Sequence, residues 1–344
     1  MRLAVLCPNL IGDTVMATPA LRALRRTFPG ARIDAILRPN VAPTLDGCPW
    51  IDERVLYHHR SAWPEQRTRA VASALRRSRY DVALLLPNSF RSALLATLAR
   101  IPRRVGYARG GRSWLLTDRL APPVDTRGRY VPTPAVGYYL ALARRLGCEA
   151  GSIRPELFTT PEDEAAADRA WARLGLGRRV VCLNTGGAFG PAKSWPADYF
   201  STLAGRLAAE RDADVLVLCG PAEREVARRI AAGADNRRVV ALADEELSIG
   251  LTKACVKRSQ LLVTTDSGPR HFAAAFGVPV VSLFGPTHIA WTRTAHPLAI
   301  HLQQPVPCGP CQRGVCPEGH HRCMVELRPE AVFDASTRLL GAAG

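Results

Sequence analysis

The sequence predicts an α/β fold made of two similar lobes, each a parallel sheet covered by helices on both faces. Three observations carry this. Short apolar, β-branched runs alternate with segments whose apolar residues recur at helical spacing, and strands hidden on both faces read as such near-continuous runs. The alternation restarts after residue 160. At 344 residues, with 47% hydrophobic side chains, the chain is long and apolar enough for about two domains with cores of their own.

In the first half, LAVLC (3–7) reads as a strand and TPALRALRRTF (18–28) as a helix. RIDAIL (32–37) is the next strand, TRAVASALRRS (68–78) a helix and DVALLL (81–86) a strand. RIPRRVGYARGGRSW (100–114) reads as an Arg-rich segment beyond it, either a solvated basic loop or a holder of anions. SIRPELFTTPED is the linker. In the second half, TTPEDEAAADRAWARLG (159–175) has helix-start signals: Thr160 as a cap, Pro161 in the first turn and acidic residues early. Strands follow at VVCLN (180–184), ADVLVLC (213–219), RVVAL (238–242), QLLVTT (260–265) and PVVSLF (279–284), with helices between them. The expected domains are residues 1–158 and 159–327.

Bulk composition narrows the function. No run reaches the roughly 18–20 apolar residues of a membrane-spanning helix. MRLAVLCPNLIGD passes directly from an apolar run into Gly and Asp, so it reads as a first strand and not as a signal peptide, which predicts a cytoplasmic protein. Cys7, Cys48, Cys148, Cys182, Cys219 and Cys255 are scattered, as buried thiols of a reducing compartment are. The formal charge of +16 favours anionic partners, although a bias towards Arg in the source genome accounts for such an excess equally well. Nucleic acid is not the expected partner: aromatic residues make up only 6% of the chain and no stacking platform is evident.

Ligands of open parallel sheets sit beyond the carboxyl ends of the strands, so the residues after each strand carry the functional argument. After the first strand comes NLIGDTVMATPAL. Asp13 or Thr14 either caps the following helix or, for Asp13, aims a carboxylate able to act as general base. The spacing is not Gly-x-Gly-x-x-Gly, which argues against a dehydrogenase. After VVCLN comes TGGAFGPAKSW. Gly186, Gly187 and Gly190 let backbone N–H groups approach an anion, and Lys193 adds a point charge; the alternative is a plain glycine turn. After QLLVTT, Asp266 is suited to sugar hydroxyls. Ser267 or Gly268 caps a helix whose first residue is Pro269 and whose N-terminus suits a phosphate, and His271 follows early in it. Glu223 in GPAERE either reaches a nucleotide or is a solvated surface residue. Near the C-terminus, Cys308, Cys311, Cys316 and Cys323 are spaced C-x2-C-x4-C-x6-C with His320 and His321 among them. That pattern fits a structural zinc site, reduced thiols or a disulfide.

Four of these stretches, IGDTVMATPALRALRRTFPGARIDAI, GPAKSWPADYFSTLA, TTDSGPRHFAAAFGVPVVSLFGPT and CGPCQRGVCPEGHHRCM, together resemble the ADP-heptose:lipopolysaccharide heptosyltransferases, glycosyltransferase family 9. The four occur in family order along nearly the whole chain, and the Cys-rich tail is most similar to type II members. The resemblance implies a GT-B architecture, two Rossmann-like domains facing a cleft. The N-terminal domain would receive the acceptor, the C-terminal domain would bind the nucleotide sugar, and a final helix (328–344) would return to the N-terminal domain. It implies Asp13 as catalytic base and Lys193 at the donor phosphates. It also implies Thr185, Gly186 and Gly187 beside the diphosphate, with Asp266, Ser267, Gly268 and His271 as the donor segment. Arg270 and Thr265 depart from the Met and Asn common in the family. No metal is expected in catalysis, which fits the lack of an Asp-x-Asp motif in a convincing context. The partners implied are ADP-heptose and the lipopolysaccharide inner core at the cytoplasmic membrane face. Arg103, Arg104, Arg109 and Arg112 are then candidates for acceptor anions or an anionic membrane surface.

Overall fold

The computed structural model describes residues 1–149, 151–187 and 189–342. Within them the chain forms two compact units: Met1–Phe158 with Ala290–Thr294, and Thr159–Ile289 with the chain from Ala295 onward. The first unit runs β1 (Arg2–Leu6), α1 (Ile11–Thr27), β2 (Arg32–Leu37), β3 (Glu53–Leu56), α2 (Thr68–Arg77), β4 (Val82–Leu85), α3 (Phe90–Leu98), β5 (Arg103–Tyr107), β6 (Asp118–Leu120) and α4 (Ala135–Arg144). Its six strands are all parallel in the order β3-β2-β1-β4-β5-β6.

The second half continues with α5 (Pro161–Leu174), β7 (Val180–Asn184), α6 (Ala197–Glu210), β8 (Asp214–Leu218), α7 (Arg224–Gly233), β9 (Val239–Ala241) and α8 (Ile249–Arg258). Then come β10 (Leu261–Thr265), α9 (Gly268–Phe276), β11 (Val280–Phe284), α10 (Ile289–Thr292), β12 (Ala299–Gln303), α11 (Arg322–Val325) and α12 (Pro329–Ala342). This sheet is also all parallel, in the order β12-β11-β10-β7-β8-β9. Counted from its own first strand it repeats the order of the first sheet, the Rossmann arrangement. Each sheet changes its direction of growth between its first and fourth strands, β1 and β4 or β7 and β10, and that switch point is where such sheets bind ligands.

Side-chain alternation explains why both faces are covered. Leu3 and Val5 of β1 and Leu84 of β4 join the core shared with α1 and α4. Ala4, Leu6, Ala83 and Leu85 point the other way, into the core under α2 and α3. In the second unit Val181, Leu183, Val263 and Leu283 meet Phe200, Leu203 and Leu207 of α6, while α5, α8 and α9 pack together on the other side.

Local chemistry sets the element ends. Thr160 accepts from the Asp163 amide while its own amide donates to the Asp163 carboxylate, so α5 opens on a capping box; Gly175, at φ 63°, closes it. Helix α1 begins well before TPALRALRRTF, at Ile11, and so contains Pro19. Pro19 has no N–H for the Val15 carbonyl, and the Thr18 hydroxyl donates to that carbonyl instead at 2.7 Å. Strands β3, β5, β6 and β12 were not legible as strands: β3 and β6 are short and charged, Arg103 and Arg104 open β5 within what reads as an Arg-rich loop, and β12 is a half-buried edge strand.

The expected return of the last helix to the first unit is not met. Val332, Phe333, Ala335 and Leu339 of α12 are buried in the second unit's core against α6, because the apolar stripe of α12 completes that face of the sheet. No helix among the described residues is long and apolar enough to cross a membrane.

Glu164 of α5 is held by Lys257 at 2.7 Å and Arg258 at 2.7 Å, both from α8. Burial alone would raise its carboxyl pKa, but the hydrogen bonds from Lys257, Thr159 and Arg258 win and bring it down to about 2. The folded value lies below the unfolded one, so this anchor stabilises the fold fully above about pH 4.3 and is lost as the pH falls towards 2. Denaturation midpoints measured from pH 6 to 2.5 should therefore fall less steeply in Glu164→Gln than in the parent protein. Identical slopes would show that the anchor contributes nothing.

Candidate functional site

At the switch point of the first sheet, Asp13 lies in the first turn of α1, two residues after its start. The turn takes Leu10 as N-cap, so neither Asp13 nor Thr14 caps the helix, and Gly12 is helical and not part of a separate turn. Asp13 lines a cavity of about 370 Å³ with Asn9 after β1, Pro87 and Asn88 after β4, Arg109 after β5, and Tyr138 of α4. That volume falls within the roughly 300–1,000 Å³ of small-molecule sites. Tyr138 donates to Asn88 at 3.3 Å and stacks on Tyr107 with ring centroids 3.7 Å apart, which fixes the wall. The Tyr139 phenol is pushed up, first by burial and then by the nearby Asp13 charge.

The four candidate arginines divide. Arg109 faces this cavity, its guanidinium 3.6 Å from the centre of the Tyr130 ring. Arg112 is fully buried and cannot meet an acceptor. It donates to the carbonyls of Tyr107, Pro87 and Ser89, to the Ser92 hydroxyl and to Asn88, binding the loops after β4 and β5 together. Burial pulls its pKa down to about 10, which leaves it charged at neutral pH. Arg103 pairs with Asp118 at 3.2 Å, and Arg104 donates to the carbonyls of Leu115 and Ile101. All three therefore serve the fold, because their donors are already taken by neighbouring strands and loops.

At the second switch point a buried carboxylate gathers the loops. Asp266, just after β10, accepts from Lys193 Nζ at 2.7 Å, Arg270 Nη1 at 2.9 Å and Thr287 Oγ1 at 2.7 Å; Lys193 also donates to the Asp266 carbonyl at 2.8 Å. Burial would raise the Asp266 carboxyl pKa, but Arg270 and then Lys193 hold it well below the usual carboxylate range. Burial, and after it Arg270, keeps the buried His271 imidazole neutral. Two cations against one carboxylate thus leave this cluster with one positive charge, a setting suited to an anion. Phe189 lies under Lys193, 4.4 Å from ring centre to Nζ.

Asn184 at the end of β7 joins the two central loops, donating to Gly186 O at 3.1 Å, Thr264 Oγ1 at 3.1 Å and Ser267 Oγ at 2.9 Å. Ser267 is the N-cap of α9, which starts at Gly268 and not Pro269; its hydroxyl faces Asn184 and Thr264 and makes no cap bond. The first-turn N–H groups of α9 have no partner within the helix. Glu223 is not a solvated surface residue. Its carboxylate accepts from the Gly220 amide at 2.8 Å and lies so close to Gly186 that a Cβ there would collide with it. Thr185 is buried nearby, and a Cβ on Gly187 would come within 3.1 Å of Ser267. Gly190, at φ 135°, packs against the Gly314 carbonyl, which also accepts from the Ala192 amide at 3.0 Å. The cysteine-bearing segment thereby buttresses the glycine loop.

Cys308, Cys311, Cys316 and Cys323 line one cavity of about 20 Å³ with His320 and His321, space for about one water. All four are free thiols, and Cys308 Sγ lies 4.0 Å from His320 Nε2. Among the described residues no three His, Cys, Asp or Glu side chains are placed to hold one metal ion, so the zinc reading of this spacing is not supported.

Sequence reasoning brought out Lys193, Asp266, Ser267 and Gly186 but passed over Asn184 and Thr287. The signal for Asn184 was present: it is the one polar residue in VVCLN. Thr287 ends FGPT and carried no signal beyond its place after a strand.

Residues 68–322 match the model for glycosyltransferase family 9 (heptosyltransferase). Lipopolysaccharide heptosyltransferase 2 of Salmonella typhimurium LT2 is 29% identical over 360 residues, covering 100% of both chains. The Escherichia coli K12 protein of the same name is 28% identical over 99% of each. The solved structure of E. coli ADP-heptose lps heptosyltransferase II superposes with a TM-score of 0.80, at 26% identity and 99% coverage of both chains. A family 9 glycosyl transferase from Veillonella parvula, at 22% identity and a TM-score of 0.83, shares the fold.

Removing the Asp266 carboxylate strands Arg270 in the interior. Asp266→Ala should cost about 3–5 kcal/mol of unfolding free energy in urea titration; a loss under about 1 kcal/mol would mean the cluster tolerates the uncompensated charge. Arg112→Leu deprives the Tyr107, Pro87 and Ser89 carbonyls of their donor and should cost about 2–4 kcal/mol in the same assay. An unchanged midpoint would return Arg112 to the list of ligand-facing residues.

Proposed function

The chain belongs to glycosyltransferase family 9, the heptosyltransferases, and from that premise we propose that it moves L-glycero-D-manno-heptose from ADP-heptose onto a heptose of the lipopolysaccharide inner core. The observation that carries this reading is the full-length similarity to lipopolysaccharide heptosyltransferases 2 of a chain with a chemical cluster at each of its two sheet switch points. The first unit takes the acceptor and the second the nucleotide sugar.

In this mechanism Asp13 removes the proton of the acceptor hydroxyl as its oxygen attacks the anomeric carbon of the donor. The C–O bond to the diphosphate breaks in the same displacement, which inverts the anomeric centre. Negative charge then grows on the departing ADP. Lys193, the amides of the Thr185–Gly187 loop and the N-terminus of α9 supply the opposing charge, preset by the Asp266 network and so needing little reorganisation. Asp266, Arg270 and Thr287 aim Lys193, and Glu223 and Asn184 shape the loop. Arg109 contributes to acceptor binding beside Asp13. The formal charge of +16 suits work at the anionic inner face of the cytoplasmic membrane, where a lipid-linked acceptor resides.

A donor panel tests the reaction: ADP-heptose, ADP-mannose and UDP-sugars, each with truncated inner-core acceptors, following ADP or UDP release and product mass. Transfer from ADP-heptose is expected to exceed the others; turnover of a UDP-sugar alone would overturn the reading. Asp13→Ala should lower kcat by about 10²–10⁴ with the thermal midpoint unchanged, and near-normal turnover would remove Asp13 from its role. Lys193→Ala should lower kcat by about 10²–10³ and weaken ADP-heptose binding while acceptor KM changes little. The reverse pattern would exclude Lys193 from the donor site.

A further inference from the structure

Helix α3 covers the first sheet with one face and leaves an apolar surface on the other. Ser92, Ala93, Leu95 and Ala96 form the buried face. A helix on a protein surface normally turns charged or polar residues outward, and the neighbouring α2 does so with Arg69, Ser73, Arg76 and Arg77. On α3 the outward positions four residues apart are Phe90, Leu94 and Leu98. Phe90 is 40% and Leu98 47% exposed, with Leu94 half-buried between them. Thr97 beside them turns its hydroxyl back to the Ala93 carbonyl at 2.9 Å. Trp114, 69% exposed, extends the stripe, its ring centroid 6.0 Å from that of Phe90. The pair is held in place, because Arg112, just before Trp114, donates to the carbonyl of Ser89, the N-cap of α3.

The charge around this stripe has one sign. Residues 1–158 contain 25 arginines against 11 Asp and Glu, so this part carries a formal +14 of the chain's +16. A bias of the source genome towards Arg would spread the excess over the whole chain, whereas residues 159–344 have only +2. From Gln66 to Thr117, which takes in α2, α3 and Trp114, there are 11 arginines and a single acidic residue, Asp81. Arg69, Arg76, Arg77, Arg91 and Arg100 of this stretch are exposed. Four apolar side chains on one helix face fall far short of the roughly 1,200 Å² or more that a stable protein interface buries. Shallow insertion into a bilayer needs no such area, because arginines around the apolar side chains add their attraction to lipid phosphates. Tryptophan also sits preferentially at headgroup level.

We propose that the outward face of α3, together with Trp114, docks the chain on an anionic phospholipid surface. Phe90, Leu94, Leu98 and Trp114 enter the acyl boundary, and the arginines of α2 and α3 meet the headgroup phosphates. The use of this surface rests on the reading of a lipid-linked acceptor, which it deepens. Asn88 lines the Asp13 cavity and is followed directly by Ser89 and α3. Docking through α3 therefore sets the Asp13 cavity close to the headgroups, where the sugar of an anchored acceptor is presented.

The test is co-sedimentation with vesicles of phosphatidylcholine containing phosphatidylglycerol, and with vesicles of phosphatidylcholine alone. The wild-type chain should bind the anionic vesicles, less so as salt rises. Phe90→Ser/Trp114→Ser should bind them about tenfold or more weakly, with an unchanged thermal midpoint. Arg69→Gln/Arg76→Gln/Arg77→Gln keeps the apolar stripe and should lose the preference for phosphatidylglycerol; it serves if the Ser variant does not fold. Transfer to a truncated, water-soluble acceptor should be the same in wild type and variants, while the KM of the Ser variant for an acceptor embedded in vesicles rises about tenfold. No vesicle binding by wild type, or equal binding by wild type and both variants, overturns the docking surface. So does a wild-type chain that is dimeric in sedimentation equilibrium, becomes monomeric as the Ser variant and binds no vesicle, since a second copy then covers α3. Failure of the wild-type chain to transfer heptose to the soluble acceptor overturns the transferase reading instead, and vesicle binding still judges this face.

Discussion

The second unit is organised around a carboxylate that is almost wholly buried. Asp266 joins three strand ends, because Lys193 comes from the turn after β7, Arg270 from the first turns of α9 and Thr287 from the turn after β11. A buried charge is tolerated only when paired and hydrogen-bonded, so each of these groups must occupy its place for the others to be stable. That mutual dependence holds Lys193 on its long, flexible stem in one position. It also explains the residue types: a shorter side chain at 193 would not reach the carboxylate, an uncharged one would not offset its charge, and apolar residues at 270 and 287 would leave it under-satisfied.

The first unit solves the matching problem with the opposite sign. Arg112 is a buried cation whose donors are used on carbonyls and a hydroxyl of the loops after β4 and β5. Those loops supply Pro87, Asn88 and Arg109 to the cavity of Asp13. In both halves one interior charge determines where the loops at the switch point stand.

Much of this was legible in the sequence where burial dominates. VVCLN and RIDAIL coincide with β7 and β2 residue for residue, since strands hidden on both faces must be continuous and apolar. The Thr160 cap was legible because its partners are local. The start of α1 was not, because the hydroxyl of Thr18 compensates for Pro19, and a proline read in isolation signals a boundary. The Arg-rich stretch misled for a related reason. Composition counts charges but does not show which are consumed: of Arg103, Arg104, Arg109 and Arg112, Arg109 is the one that lines the Asp13 cavity. The cysteine spacing left zinc, reduced thiols and a disulfide all open; the four stand as free thiols, and among the described residues no three ligating side chains are grouped to hold a metal ion.

The position of α12 bears on how the molecule is made. Every strand of the first sheet lies before residue 121 and α4 ends at Arg144, so a nascent chain carries that sheet and its covering helices before any strand of the second unit is made. The second unit has no such early completion. Its hydrophobic interior stays open along one face until Val332, Phe333 and Leu339 leave the ribosome. The half that carries the Asp266 cluster therefore closes only once α12 has been made.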